Sequence, residues 1–281
     1  MQPPPDWVRK SVIFIGYERD EDLRIIGTGF FIAVPWTDNP DDGHAHYVVT
    51  AKHVVESIEA RSTKGQAILR LNSPKGGMRV AKYPVSRWIH HPEESADVAV
   101  LPINVGKDDH RSILHTELLT DEKTSELEVG PGDNLIFPGL FVHHKGESAN
   151  IPIMRMGNIA AMPEEPVHTS RYGKMDAYLV EARSIGGFSG SPVFLHMDGP
   201  RALRTGPAWN QLKLLGLIHG HYDGDLGHDT LEDIMLPPGP PSINMGIAIV
   251  TPAEKILGLV NSPIQVENRR KNFEEAKARE L

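Results

Sequence analysis

Residues 186–194 read Gly-Gly-Phe-Ser-Gly-Ser-Pro-Val-Phe. A serine hydroxyl is a weak nucleophile at neutral pH and attacks a carbonyl only when a base takes its proton. The oxyanion formed then needs N–H groups aimed at it. Ser189 sits among glycines that meet this second need: Gly187 lets its own N–H and that of Ser189 converge, and Gly190 keeps the next turn close. A base stands in residues 47–55, Tyr-Val-Val-Thr-Ala-Lys-His-Val-Val, where a strand ends in a small residue and His53 opens a short helix. An orienting acid stands in residues 96–101, Ala-Asp-Val-Ala-Val-Leu, with Asp97 at the mouth of a strand. The order is His, Asp, Ser, with separations of 44 and 92 residues.

Each residue also has a plainer reading. Ser189 alone is a Gly/Ser turn between strands, and Asp97 alone caps a strand turn. Ser184 and Ser191 compete as nucleophiles, and Ser191, before Pro192, reads as structural. The chain holds 14 histidines, and the pairs His90-His91 and His143-His144 carry no catalytic context. An α/β-hydrolase elbow requires Gly-x-Ser-x-Gly followed by an acid and then a histidine; position 191 is serine, and the acid and histidine motifs come earlier. No phosphate-binding or dinucleotide fingerprint is present.

The elements that must hold these residues are strands. Period-2, β-branched and aromatic segments recur between turn clusters at 11–17, 25–34, 47–50, 66–71, 79–82, 85–90 and 98–103, then at 133–137, 151–162, 176–182, 192–195, 213–219 and 245–250. Each half offers about six, so the chain reads as all-β. Short helices are expected at 53–58 and 111–119. Another is expected after Thr251-Pro252-Ala253-Glu254, with Thr251 as N-cap and Pro252 at the first position. The division is 1–108, carrying His53 and Asp97; a polar linker at 109–132; 133–262, carrying Ser189; and a charged tail at 263–281, expected as an exposed or frayed helix. Segments 197–211 and 222–242 lack strand pattern and read as functional or mobile loops.

Gly and Pro together make 49 of the 281 residues, with 40% hydrophobic and 23% charged residues. This is a turn-rich globular composition with apolar material for one large core or two small ones, not collagen, coiled coil or low-complexity chain. A net charge of −8 without a basic run argues against nucleic acid as partner. No apolar stretch reaches the ~20 residues of a membrane span. The opening Met1-Gln2-Pro3-Pro4-Pro5-Asp6 is unlike a secretory leader. Zero cysteine removes disulfides, thiolate metal sites and cysteine nucleophiles and fits a reducing compartment. The expectation is a cytoplasmic protein.

The chain resembles the chymotrypsin-like serine peptidases, particularly the bacterial trypsin-like group with the HtrA/Deg proteases and the glutamyl endopeptidases. The resemblance runs from about residue 12 to 260 through Gly27-Thr28-Gly29-Phe30, Thr50-Ala51-Lys52-His53-Val54, Ala96-Asp97-Val98-Ala99-Val100-Leu101 and Gly130-Pro131-Gly132-Asp133. It continues through Gly187-Phe188-Ser189-Gly190-Ser191-Pro192, Leu215-Gly216-Leu217-Ile218 and Met245-Gly246-Ile247-Ala248-Ile249. It implies two six-stranded antiparallel β-barrels, here followed by a short C-terminal helix, with the site between them. It also implies Ser189 as nucleophile, His53 as general base and acid, Asp97 as orienter, and the N–H groups of Gly187 and Ser189 as oxyanion hole. No cofactor or metal is implied, and the partner is a protein or peptide substrate.

Two departures bear on control. Phe188 stands where secreted trypsins carry an aspartate that binds a newly cut N-terminus, so activation by that route is not expected. About 20 residues follow Val260, so PDZ domains like those of HtrA proteases are not expected in this chain. The resemblance places Arg183 at the floor of the substrate side-chain pocket and His219, Gly220 and His221 on its wall. That set would favour acidic side chains, yet the glutamyl endopeptidase histidine aligns with Ile218, one position early. Segment 219–229 mixes His and Asp at spacings open to a cation, and reads first as a polar loop. A serine endopeptidase is the leading expectation. The alternatives are a silent or latent binding module of the same fold and a protease dedicated to one partner protein.

Overall fold

A computed structural model describes residues 4–73, 76–104, 111–182, 187–197, 201–202, 211–224 and 243–280. The first half runs α1 (Trp7–Lys10), β1 (Val12–Arg19), β2 (Asp22–Pro35), β3 (His44–Thr50), α2 (Lys52–Arg61), β4 (Gln66–Asn72), β5 (Met78–Pro84), β6 (Ile89–His90), β7 (Ala99–Ile103) and β8 (Ile113–Leu114). The second runs α3 (Asp121–Glu126), β9 (Asn134–Gly139), β10 (Ile153–Ala161), β11 (Val167–Thr169), β12 (Gly173–Met175), β13 (Tyr178–Glu181), β14 (Pro192–His196), β15 (Leu212–Gly224), β16 (Ile243–Pro252), α4 (Ala253–Val260) and α5 (Pro263–Glu280).

The chain is mostly β, as expected, but its halves differ. The second closes into a six-stranded barrel in the order β10-β13-β16-β15-β14-β9. The first is a curled half-barrel sheet of eight strands, β5-β4-β1-β2-β3-β7-β6, with β8 parallel against β2, consistent with the two-barrel architecture. Strand β5 lies at its edge with mostly exposed side chains, among them Arg79 and Lys82, a composition that discourages pairing with another chain. Strand β2 buries both faces over residues 27–34, so its sequence is a nearly continuous apolar run rather than an alternation.

One core cluster holds Phe30, Phe31, Tyr47, Val49, Ile58, Leu69 and Val100 and continues across the unit boundary to Phe194, Leu214 and Leu217. A second lies inside the closed barrel around Leu135, Phe137, Val180, Phe188, Val193 and Ile218. The boundary between the halves is therefore packed, not merely linked.

Several local expectations change. Residues 111–119 form β8 and a 3-10 turn rather than a helix, because Ile113 pairs with Ile32 of β2 and buries completely. Helix α4 begins at Ala253 with Pro252 in the N-cap position; the buried Thr251 hydroxyl caps nothing, since Thr251 still belongs to β16. The expected tail is the 18-residue helix α5, docked on the first unit. Arg269 donates to the Val260 carbonyl and the Tyr47 hydroxyl, Phe273 stacks on Trp36 and Lys277 pairs with Asp42. Gln265, Arg269, Phe273 and Lys277 recur at i, i+4 and share one face; that face is largely polar, so hydropathy does not reveal it. Among the described residues no helix is long and apolar enough to cross a membrane.

Candidate active site

Antiparallel pairing of β3 with β7 sets Thr50 against Ala99. His53 lies three residues beyond the first and Asp97 two before the second, so the register brings them together. His53 occupies the first turn of α2, where backbone N–H groups have no partner within the helix. Asp97 Oδ1 accepts the His53 N–H at 2.9 Å, and Oδ2 accepts from the ring Nδ1 at 2.7 Å. One buried carboxylate thus fixes both the start of the helix and the plane of the imidazole. An ionised carboxylate only accepts, so Nδ1 carries the proton and Nε2 is left as the basic nitrogen.

A second imidazole uses the same carboxylate. His219 Nδ1 donates to Asp97 Oδ2 at 2.5 Å, with its ring edge-on to that of His53 at 5.4 Å between centroids. The cause is a bulge: Ile218 pairs with Val250 and Gly220 with Ile249, so His219 is the extra residue in β15. A bulge breaks strict alternation and re-aims a side chain. His219 was expected on the wall of a substrate pocket; its ring instead rests on Asp97.

Asp97 has no exposed surface. Burial pushes its carboxyl pKa up, but the bonds from His219 and His53 prevail and hold it well below the usual carboxylate range. Tyr172, from the segment between β11 and β12, stacks obliquely on His219 at 5.7 Å and donates its hydroxyl to Glu56 at 3.0 Å. Burial, with the charges of Asp97 and Glu56, pushes the Tyr172 phenol pKa up, so it stays a donor.

Ser189 arrives by the same logic of register. Pro192 of β14 pairs with Leu217 of β15, so the chain three residues before the one meets the chain two residues after the other. The Ser189 hydroxyl donates to the His219 carbonyl at 3.3 Å. The preceding loop turns tightly, Ser191 N–H bonding to the Phe188 carbonyl at 2.8 Å. Gly187 has φ +100° and Gly190 φ +81°, left-handed values that favour glycine. A Cβ on Gly190 would also collide with the Thr28 carbonyl and the Thr50 hydroxyl. Ser191 is wholly buried, and its hydroxyl has no partner among the described residues.

Of the pocket residues, Arg183 lies outside the described residues, as does Ser184. Gly220 has open space where a side chain would stand, and His221 is partly buried on the same strand. The possible cation loop, 219–229, lies outside the described residues from position 225 onward. Among the described residues His53, Asp97 and His219 each place a donor atom within 4.8 Å of the others. Two ligands about 2.05 Å from a tetrahedral zinc lie about 3.3 Å apart, whereas the contacts here are 2.5 and 2.7 Å. They are hydrogen-bond distances, joining one carboxylate to two imidazoles.

No family model and no curated protein matches the chain. Among solved structures, the HtrA-type protease AlgW with a decapeptide is similar at TM-score 0.54 and 14% identity, over 92% of this chain and 65% of that one. A variant of AlgW with a decapeptide gives 0.52 and 13% over 91% and 64%. Deg5 gives 0.47 and 15% over 75% and 80%. The chain therefore spans just under two thirds of the AlgW chains it matches. Sheet order, closed second barrel and the AlgW likeness together give this chain the chymotrypsin-like two-barrel fold of the HtrA-type serine proteases.

Proposed function

We propose that the chain is a serine endopeptidase acting through an acyl-enzyme on Ser189. The observation that carries this reading is the buried Asp97 carboxylate holding His53 by both ring and backbone N–H, with Ser189, on a tight glycine loop, bonded to the carbonyl of His219, whose ring shares that carboxylate. AlgW was crystallised with a decapeptide, which supports a peptide as the ligand class.

In the proposed reaction the Ser189 proton passes to His53 Nε2 as Oγ bonds to the substrate carbonyl carbon. The carbonyl oxygen takes the negative charge and is met by the N–H groups of Gly187 and Ser189. The C–N bond then breaks, and the amine leaves with the proton from His53. Water, deprotonated by the same nitrogen, then bonds to the acyl carbon, the C–Oγ bond breaks to release the acid, and His53 returns the proton to Ser189 Oγ. Asp97 stays ionised and stabilises the imidazolium.

A second reading, a latent form, is favoured by one contact: the Ser189 hydroxyl donates to the His219 carbonyl and not to His53. Catalytic contacts often tighten only when substrate is bound. A substrate N–H pairing with that carbonyl would release the hydroxyl to turn toward His53. A fluorophosphonate probe tests both readings. Labelling of wild type, lost in Ser189→Ala and His53→Ala, is the expected result. Labelling that requires added peptide marks the latent form, and none under any condition refutes the enzyme. The cytoplasmic location proposed from the cysteine-free composition is checked by cell fractionation.

A further inference from the structure

Thr28, in the middle of β2, has no exposed surface and belongs to the first unit, yet most of its polar bonds cross to the second. Its hydroxyl donates to the Gly187 carbonyl at 2.8 Å and accepts the Leu140 N–H at 2.9 Å. Its N–H donates to the Ser189 carbonyl at 3.0 Å. Its carbonyl accepts from the Thr50 hydroxyl at 2.7 Å, and Thr50 is the last residue of the strand that leads to His53.

We propose that Thr28 is the positioning residue of the oxyanion hole. The carbonyls it holds, of Gly187 and Ser189, belong to the peptides on either side of the one that carries the Ser189 N–H. With both flanking peptides pinned, that N–H has one direction. The Gly187–Phe188 peptide is pinned through a single hydroxyl, and Gly187 at φ +100° has no side chain to resist a flip. Leu140, whose N–H the same hydroxyl accepts, also packs against Gly187: a Cβ there would meet its side chain at 3.0 Å. The hydroxyl thus couples docking of the first unit to the shape of the loop in the second. The proposal rests on Ser189 acting as the nucleophile described above.

Thr28→Val keeps the shape of the side chain and removes the hydroxyl; Thr28→Ser keeps the hydroxyl. The probe is a fluorophosphonate, with its binding and inactivation steps separated kinetically on the full chain. The inactivation rate constant of Thr28→Val is expected to fall about a hundredfold, the scale of losing one oxyanion donor, with probe affinity within about twofold of wild type. Thr28→Ser should stay within about threefold of wild type in both. Equal rates for Thr28→Val and wild type, or equal losses in the two variants, would overturn the proposal.

Amide exchange at Gly190 and Ser191, whose N–H groups bond to Ile218 and Phe188, is measured alongside. It should rise in Thr28→Val and not in Thr28→Ser, whether or not the protein labels. If wild type does not label, the peptidase reading fails; unchanged exchange in Thr28→Val sinks the role of Thr28 separately. Thr28→Ala serves in the same comparison if the valine variant does not fold.

Discussion

Arg70 lies in β4 with 2% of its surface exposed and reaches across the unit boundary into the loop that follows β9. Its guanidinium donates to the carbonyls of Lys145 at 3.0 Å, Gly146 at 2.7 Å and Glu147 at 3.0 Å. Asn150 returns two bonds to the same strand, its side chain to the Arg70 carbonyl at 2.6 Å and its N–H to Asn72 Oδ1 at 2.6 Å. Arg70→Met keeps the stem and removes all three of these bonds, together with that from Nε to Met78 Sδ at 3.3 Å. Hydrogen bonds from a charged donor are worth about 1.5–3 kcal/mol each, but Lys145 and Glu147 are exposed, so water can recover part of the loss. At about 1 kcal/mol net per orphaned carbonyl the cost is about 3 kcal/mol. At about 2 °C per kcal/mol for a chain of this size, Tm should fall by about 6 °C. Urea unfolding followed by tryptophan fluorescence gives the free energy, and scanning calorimetry gives Tm. A loss below about 1 kcal/mol would refute the reasoning, because the loop would then be held by Asn150 and its own turns alone.

Asp97→Asn should lower the labelling rate by about 10⁴-fold with little loss of fold, because an amide offers His53 the wrong partner; a loss under tenfold would remove Asp97 from the mechanism. His219→Phe, which keeps the ring against Tyr172 and removes one donor to Asp97, should cost about tenfold, since both His53 bonds survive. A loss equal to that of Asp97→Asn would show that His219 does more than share the carboxylate. Stability should fall as pH drops from about 7 to 5. Burial lowers the pKa values of His46, His90, His91 and His115 below 6.5. Between the folded and unfolded pKa values the unfolded chain therefore binds more protons, and acid favours unfolding. Urea midpoints at pH 8, 7, 6 and 5 check the sign, and a flat profile would contradict it.

Most of the strand positions, the beginning of α2 near His53 and the placing of Asp97 just before a strand were readable from residue types, because each depends on local alternation or on a turn; residues 85–87, read as strand, form a 3-10 turn, and the short β8, β11 and β12 were not read. The 111–119 segment and the start of α4 were misread for the opposite reason: Ile113 and Thr251 follow distant strands, and helix propensity is weak against a paired, buried β position. The docked face of α5 was missed because Gln265 and Arg269 are polar residues that bury, Arg269 with its guanidinium bonded to Tyr47 and Asn261, and hydropathy counts such residues as exposed.

The site divides the same way. Residue identity alone determined which groups could act as base, acid and nucleophile, since few side chains supply that chemistry and three of them stand in strand-and-turn contexts suited to it. Only the folded chain decided that a bulge in β15 turns His219 onto Asp97, that the Ser189 hydroxyl rests on the His219 carbonyl, and that Thr28 and Arg70 tie the second unit's loops to the first. Those contacts join residues 75 to 159 apart, apart from the Ser189 bond spanning 30. Register and bulges set them, and both follow from the balance of packing over whole sheets rather than from any local run of residues.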